Sequence, residues 1–341
     1  METTILNRLL WKPIQTFIGN AMGRKPKSIA PAVKLSQIAL HAMPHVSTLS
    51  FVYAKTSDGR PDGETFIIFP EILRIVGHRL RHLHIQSPFA IHLPPQLGSL
   101  ESFSIDAVKP YHRLEIHNVI LDKVPAFLLA HHSTIRDVSF SIDDFTLDIT
   151  PILQCLRDMS CLHTIGLSLC YDTFSSASSE SSVDFQGERE ILDKHRQHLR
   201  SLSISFAEIG WTLPVFFRQD WDWGPARFPK LRDLTIRIRG LLFRRELESY
   251  VRLFSSSLVS LKIKHAPFSA QVNNSTFCEM FGHLWCLEYL SLYLSSFNIE
   301  QLGIFAITLP HLCSLFIHYS CLPHQEYSVS LLVIEGCLKR C

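Results

Sequence analysis

The sequence predicts an α/β solenoid, a series of strand–helix units stacked side by side, and three observations carry that expectation. A phrase of the form Leu-x-x-Leu-x-Ile returns ten times, counting a weaker first copy at Val46–Phe51. The other copies are Leu80–Ile85, Leu100–Ile105, Ile135–Phe140, Leu162–Leu167, Leu199–Ile204, Leu231–Ile236, Leu258–Ile263, Leu287–Leu292 and Leu312–Ile317. From Leu49 to Leu315 the middle apolar residues recur at intervals of 20 to 37 residues, the period of a solenoid repeat. Within each phrase the last four positions alternate apolar and polar, as a short strand with one buried face requires.

Between the phrases lie segments with helical spacing. Phe243, Leu247, Val251 and Phe254 fall on one stripe, as do Ile152, Leu156 and Met159. Shorter helices are expected at Pro125 to His131 and Ile299 to Ala306. A strand followed by a helix, repeated, winds right-handed, with strands inside the curve and helices outside. The expectation is a right-handed leucine-rich-repeat horseshoe of about ten irregular repeats. It covers residues 35–341, preceded by an N-terminal helical or linker segment at residues 1–34.

Three places break the period. Leu114-Glu-Ile116 reads as an additional strand too soon after Phe103 for a full repeat. Thr173 to Asp184 is serine-rich and polar, so a mobile loop is expected there. An irregular insertion around 216–228 has Trp211, Trp221 and Trp223 in or near it, and packing over the edge is the favoured reading.

With 46% apolar and 19% charged residues the chain can bury a continuous core. Lys plus Arg (33) nearly balance Asp plus Glu (31), so composition points to neither nucleic acid nor an anionic membrane. No run is long enough to span a bilayer, and the start lacks the order of a secretory signal. The nine cysteines show no framework spacing. Cys161, Cys286 and Cys313 sit beside strand leucines and read as reduced, buried, small apolar residues of a cytoplasmic or nuclear protein. The basic cluster Arg24-Lys25-Pro-Lys27 reads as a solvated linker.

Eighteen histidines invite a metal reading, and His82 and His84 do share one strand face. No spaced Cys or His pairs supply the other ligands of a closed site, so no metal is expected. Nucleophile elbow, phosphate-cradling glycine loop and dinucleotide fingerprint are all missing from the sequence, so neither an enzyme nor a cofactor is expected.

Function is expected on the concave strand face. Its outward positions run from His82, His84 and Gln86, through Ser102, Ser104 and Asp106, to a basic and aromatic C-terminal end. Arg237, Lys262, Lys264, Tyr289, Tyr293, Phe316 and His318 form the candidate partner-binding surface. Aromatic and cationic side chains are the types that dominate protein-binding hot spots. A partner segment that is acidic, with one or two apolar anchors, suits it.

The chain resembles the leucine-rich-repeat region of fungal F-box proteins, particularly the large basidiomycete families. The resemblance rests on Val124-Pro-Ala-Phe127-Leu-Leu-Ala-His131-His-Ser-Thr-Ile135-Arg-Asp-Val138, on Phe228-Pro-Lys-Leu231-Arg-Asp-Leu234 and on Leu309-Pro-His-Leu312-Cys-Ser-Leu315. It covers roughly residues 35 to 335. In such proteins the F-box docks the adaptor of a cullin-RING ubiquitin ligase and the repeats hold the substrate. No F-box phrase is recognisable ahead of the repeats, so the expectation is either a degenerate F-box remnant within residues 1–34 or its loss. Phe69-Pro-Glu-Ile72-Leu-Arg-Ile75 resembles its opening phrase but runs straight into the strand at Leu80, so it reads as a repeat helix.

The resulting expectation is a non-enzymatic protein-interaction module, with substrate recognition in a ubiquitin ligase as the role the resemblance implies. A leucine-rich scaffold unrelated to ubiquitin is the alternative, and a hydrolase with an unrecognised site is the third reading.

Overall fold

The computed structural model describes residues 45–52, 63–86, 93, 97–107, 122–142, 149–171, 186–208, 228–239, 251, 257–264, 281–294, 300–320 and 329–335. Among them, eleven strands form one open sheet in strict sequence order. They are β1 (Thr48–Val52), β2 (His82–Gln86), β3 (Ser102–Ala107), β4 (Asp137–Ile142), β5 (Thr164–Tyr171) and β6 (Ser201–Glu208). The series continues with β7 (Asp233–Arg239), β8 (Ser260–Lys264), β9 (Tyr289–Leu294), β10 (Ser314–Ser320) and β11 (Val329–Glu335). The first ten run parallel, and β11 returns antiparallel to β10.

Every copy of the recurring phrase is a strand of this sheet, and the register aligns the copies with one another. Leu49, Leu83, Phe103, Val138, Ile165, Leu202, Leu234, Leu261, Leu290 and Leu315 make one continuous row across ten strands. All but Leu49 are at most 1% exposed. Burying a Leu or Ile to that extent stabilises by about 1.5–3 kcal/mol, so this row and the parallel one from Phe51 to Ile317 form the core.

A second regularity fixes the register at the strand starts. The carbonyl of the residue before each strand accepts from two successive amides of the next. Ser47 accepts from Arg81 and His82, Arg81 from Glu101 and Ser102, and the pattern continues without a break to Glu288, which accepts from Cys313 and Ser314. Before several strands comes a tight turn of apolar-x-x-Leu form. The Leu231, Leu287 and Leu312 amides donate to the Phe228, Leu284 and Leu309 carbonyls at 3.1, 3.2 and 3.1 Å.

The helices lie on the apolar side: α1 (Gly63–Val76, followed by a 3₁₀ turn at Gly77–Arg79), α2 (Val124–Ala130), α3 (Thr150–Arg157), α4 (Gln186–His195) and α5 (Glu300–Thr308). Phe69, Leu73, Phe127, Leu128, Ile152, Leu156, Ile191, Leu192 and Phe305 come from them into the core. Phe51 packs on Phe69 with ring centroids 4.6 Å apart, and Phe103 on Phe127 at 4.9 Å. The result is a parallel, open α/β sheet with alternating strand and helix, a solenoid-like arrangement.

Several expectations are refined. Phe69 to Ile75 lies within α1, as a repeat helix should. The stripe Ile152–Leu156–Met159 is buried, although α3 ends at Arg157 and Met159 packs from the following turn. Strand β11 lacks the recurring phrase and was not anticipated.

The cysteine reading needs correcting: Cys155 is buried, but Cys286 is exposed and Cys161 and Cys313 are half-exposed. Their neighbouring leucines turn inward, and the residues between them sit at the solvent side of the turn. Residues 1–34, Leu114–Ile116, the serine-rich stretch 173–184, Trp211, Trp221 and Trp223 lie outside the described residues.

Candidate functional site

The polar positions of the ten parallel strands form three rows on the face opposite the helices. Toward the C-terminal end their character changes. The first row passes from Asp233 and Ser260 to Tyr289 and Ser314. The second passes from Thr235 to Lys262, Ser291 and Phe316. In the third, Arg237 stands beside Lys264, and Tyr293 beside His318.

Side-chain geometry joins these rows. The Tyr289 and Phe316 rings stack with centroids 5.1 Å apart and an interplanar angle of 30°. The Lys262 ammonium lies 5.0 Å from the centre of the Tyr289 ring. A cation over an aromatic face at this distance gains about 0.5–1 kcal/mol when exposed. Burial pushes the Tyr289 phenol up in pKa, opposed by a hydrogen bond with Ser291. Ser291 is itself 5% exposed, one of few buried polar side chains among the described residues. It lies in register between Lys262 and Phe316 in the second row.

The cations crowd one another. Partial desolvation first, then positive Arg237 and Lys262, hold the Lys264 ammonium below its ordinary pKa. A neighbour that brings negative charge relieves that repulsion. The seven candidate residues therefore fall into three sets: Tyr289, Phe316 and Lys262 form a packed cluster, Arg237 and Lys264 a cationic margin, and the remaining two a separate pair. Tyr293 and His318 are register partners at the third row.

The remaining candidates behave differently. His84 shares a hydrogen bond of 3.0 Å with Ser104 across the β2–β3 pair. Among the described residues no group of three or more His, Cys, Asp or Glu side chains is placed to hold a metal ion. No described helix is long and apolar enough to cross a membrane. A cavity of about 720 Å³ opens on the helix side, lined in part by Leu73, Arg74, His78, Leu97, His131 and Thr134. His131 is 4% exposed there, and its Nε2 accepts from the Leu97 amide at 3.2 Å, with burial lowering its pKa.

Two exposed apolar residues escaped the sequence reading: Trp285 at 72% and Ile307 at 78% exposure. A signal for Trp285 was present. It occupies the first x of Leu284-Trp-Cys-Leu287, the turn position held by Pro229 and Pro310 in other copies and exposed in each.

No protein-family model matches the chain. None of the curated proteins matches it either.

Proposed function

We propose that this chain is a leucine-rich-repeat protein-interaction module, a right-handed horseshoe that binds an acidic protein segment at the C-terminal end of its strand face. The observation that carries this reading is the cluster of Lys262, Tyr289 and Phe316, joined by cation–π and stacking contacts and bordered by Arg237 and Lys264. Rigid aromatic rings offer contact area at low entropic cost, and unneutralised cations steer an acidic partner toward them. Tyr293 and His318 extend the surface along the third row.

The resemblance to fungal F-box proteins extends the proposal: the bound segment belongs to a substrate, and the chain serves as the recognition subunit of a cullin-RING ubiquitin ligase. Without an F-box phrase ahead of the repeats, adaptor binding is a separate question from substrate binding. The two are tested apart.

Partners recovered by proximity labelling are measured against the full chain and against Tyr289→Ala/Tyr293→Ala. Unchanged circular dichroism with at least about tenfold weaker binding, a loss of about 1.4 kcal/mol, is expected. Equal affinity for both chains rejects the surface. Co-purification with the ligase adaptor supports the ubiquitin role. Partner binding without adaptor leaves the scaffold reading in its place.

A further inference from the structure

At the junction of α3 and α4, three histidines approach one another. His195, the last residue of α4, is 1% exposed. Its Nε2 lies 2.8 Å from the Leu156 carbonyl of α3, and its Nδ1 lies 3.0 Å from His198 Nε2. The His198 ring stands at right angles to His195, with centroids 5.1 Å apart, and meets the His163 ring edge-on at 6.2 Å.

These contacts determine the protonation state. A carbonyl can only accept, so His195 Nε2 carries a hydrogen. Neutral His195 then has an acceptor at Nδ1, and His198 Nε2–H must donate to it. His195 also anchors the chain on both sides: its own carbonyl accepts from the His198 and Leu199 amides at 3.0 and 2.9 Å, just before β6. One imidazole thus ties together the ends of two helices and the turn into a strand.

We propose that the His195–His198 pair is an acid-operated latch, closed at neutral pH, that releases the turn between α4 and β6 when the pair takes up two protons, while His195 Nε2–H keeps donating to the Leu156 carbonyl. One proton is tolerated. If His198 is charged, its Nε2–H still donates to His195 Nδ1, and the bond becomes stronger. A second proton puts N–H groups on both facing nitrogens, between two cations, in a buried site. His195 is then left without an acceptor on that side, and the pair separates.

The described cations around the pair outweigh its opposing groups. Lys194 lies next to His195, and Lys230 faces His198 from the turn before β7. Arg136 and Arg200 flank His163, with the Asp137 carboxylate opposing them. The nearby carboxylates of Asp158 and Glu190 pair with Arg157, and Asp193 pairs with Arg196, at the exposed surface. Burial depresses all three histidine pKa values, which agrees with a neutral closed state.

The sign follows from linkage. The closed pair holds fewer protons than the open one, whose imidazoles titrate near their ordinary value of about 6.5. Opening is therefore resisted above about pH 6.5 and favoured as pH falls below it.

The test is native-state amide hydrogen exchange on the full chain between pH 7.5 and 5, corrected for intrinsic rates. The reporters are His198 and Leu199, whose amides donate to the His195 carbonyl, against Leu202 and Leu234 in the neighbouring strands. The opening constant of the reporters should rise below pH 6.5, approaching about tenfold per pH unit for each proton taken up. His198→Gln, whose amide can donate to His195 Nδ1 without titrating, should lower that slope toward one proton. His195→Gln, which can donate to Leu156 and accept from His198, should abolish it.

Reporters that open only together with Leu202 and Leu234 at pH 5 would overturn the latch. So would unchanged slopes in both glutamine variants.

Discussion

Replacing Leu234 with Asp probes the core where its cooperativity is greatest. Leu234 is fully buried and lies in register between Leu202 and Leu261. Truncating a buried leucine costs about 2–5 kcal/mol. An ionised carboxylate has no partner in that row, so the folded form must hold a proton that the unfolded chain releases near pH 3.9. Holding it at pH 7 costs about 4 kcal/mol, and the unpaired neutral carboxyl about 1–3 more. The total, about 7–12 kcal/mol, is comparable to the whole stability of a typical domain, about 5–15 kcal/mol.

Leu234→Asp should therefore be unfolded at pH 7 while Leu234→Ala remains folded. The difference between the two should shrink by about 4 kcal/mol as pH falls to about 4, because the folded-state pKa is raised and the penalty grows with pH. Urea unfolding of both variants across that range gives the magnitude, and limited proteolysis gives the extent. A repeat buries its apolar face only against its neighbours, so β6 and β8 should lose protection along with β7. Cleavage confined to β7, with the flanking strands still resistant, would refute the nearest-neighbour argument.

Other outcomes follow from local geometry. A methyl group at Gly98 would collide with the His78 carbonyl, while its amide must still reach Gly77 O at 2.9 Å. Gly98→Ala should lower the urea midpoint by the equivalent of about 1–3 kcal/mol. Gly303 in α5 has nothing within 4 Å of that position, so Gly303→Ala should raise stability by about 0.5–1 kcal/mol in the same assay. For His131, burial depresses the folded-state pKa, so stability is intact above about pH 6.5 and declines as pH falls below it. Between pH 7 and 5 this accounts for up to about 2 kcal/mol, and His131→Gln, able to accept from the Leu97 amide, should show a correspondingly smaller loss in urea titrations.

The strands were legible because their signal is redundant. Leu83, Leu202 and Leu290 each sit in a phrase of fixed spacing, and stacking selects the same residue types in every copy. The helices were legible in kind but not in extent. Met159 packs from a turn, and apolar spacing of that sort does not reveal where backbone hydrogen bonding stops. The Tyr289–Phe316 pair was anticipated from neighbouring strands, since side chains one row apart across 4.8 Å of sheet are within reach. Ser291 could not be foreseen as a buried hydroxyl, because its environment is completed by its register partners Lys262 and Phe316, which are distant in sequence. The histidine pair was missed for a similar reason. Nothing in the spacing of eighteen histidines singles out His195 and His198, and only the arrival of the Leu156 carbonyl, 39 residues earlier, gives them a defined state.

The reversed strand β11 limits how such an array can change length. A parallel strand can pass its pattern of carbonyls and amides to another like it, so duplicated units can be inserted anywhere between β1 and β10 without altering the pairing rule. Beyond β10 that rule stops. Ser314 faces Glu335 and Ser320 faces Val329, so the last strand presents a ladder running the opposite way. A further unit of the same kind could not dock there in the common direction. Extension of the array by the parallel rule is thereby blocked at this edge, beside which the aromatic and cationic surface of β7 to β10 lies.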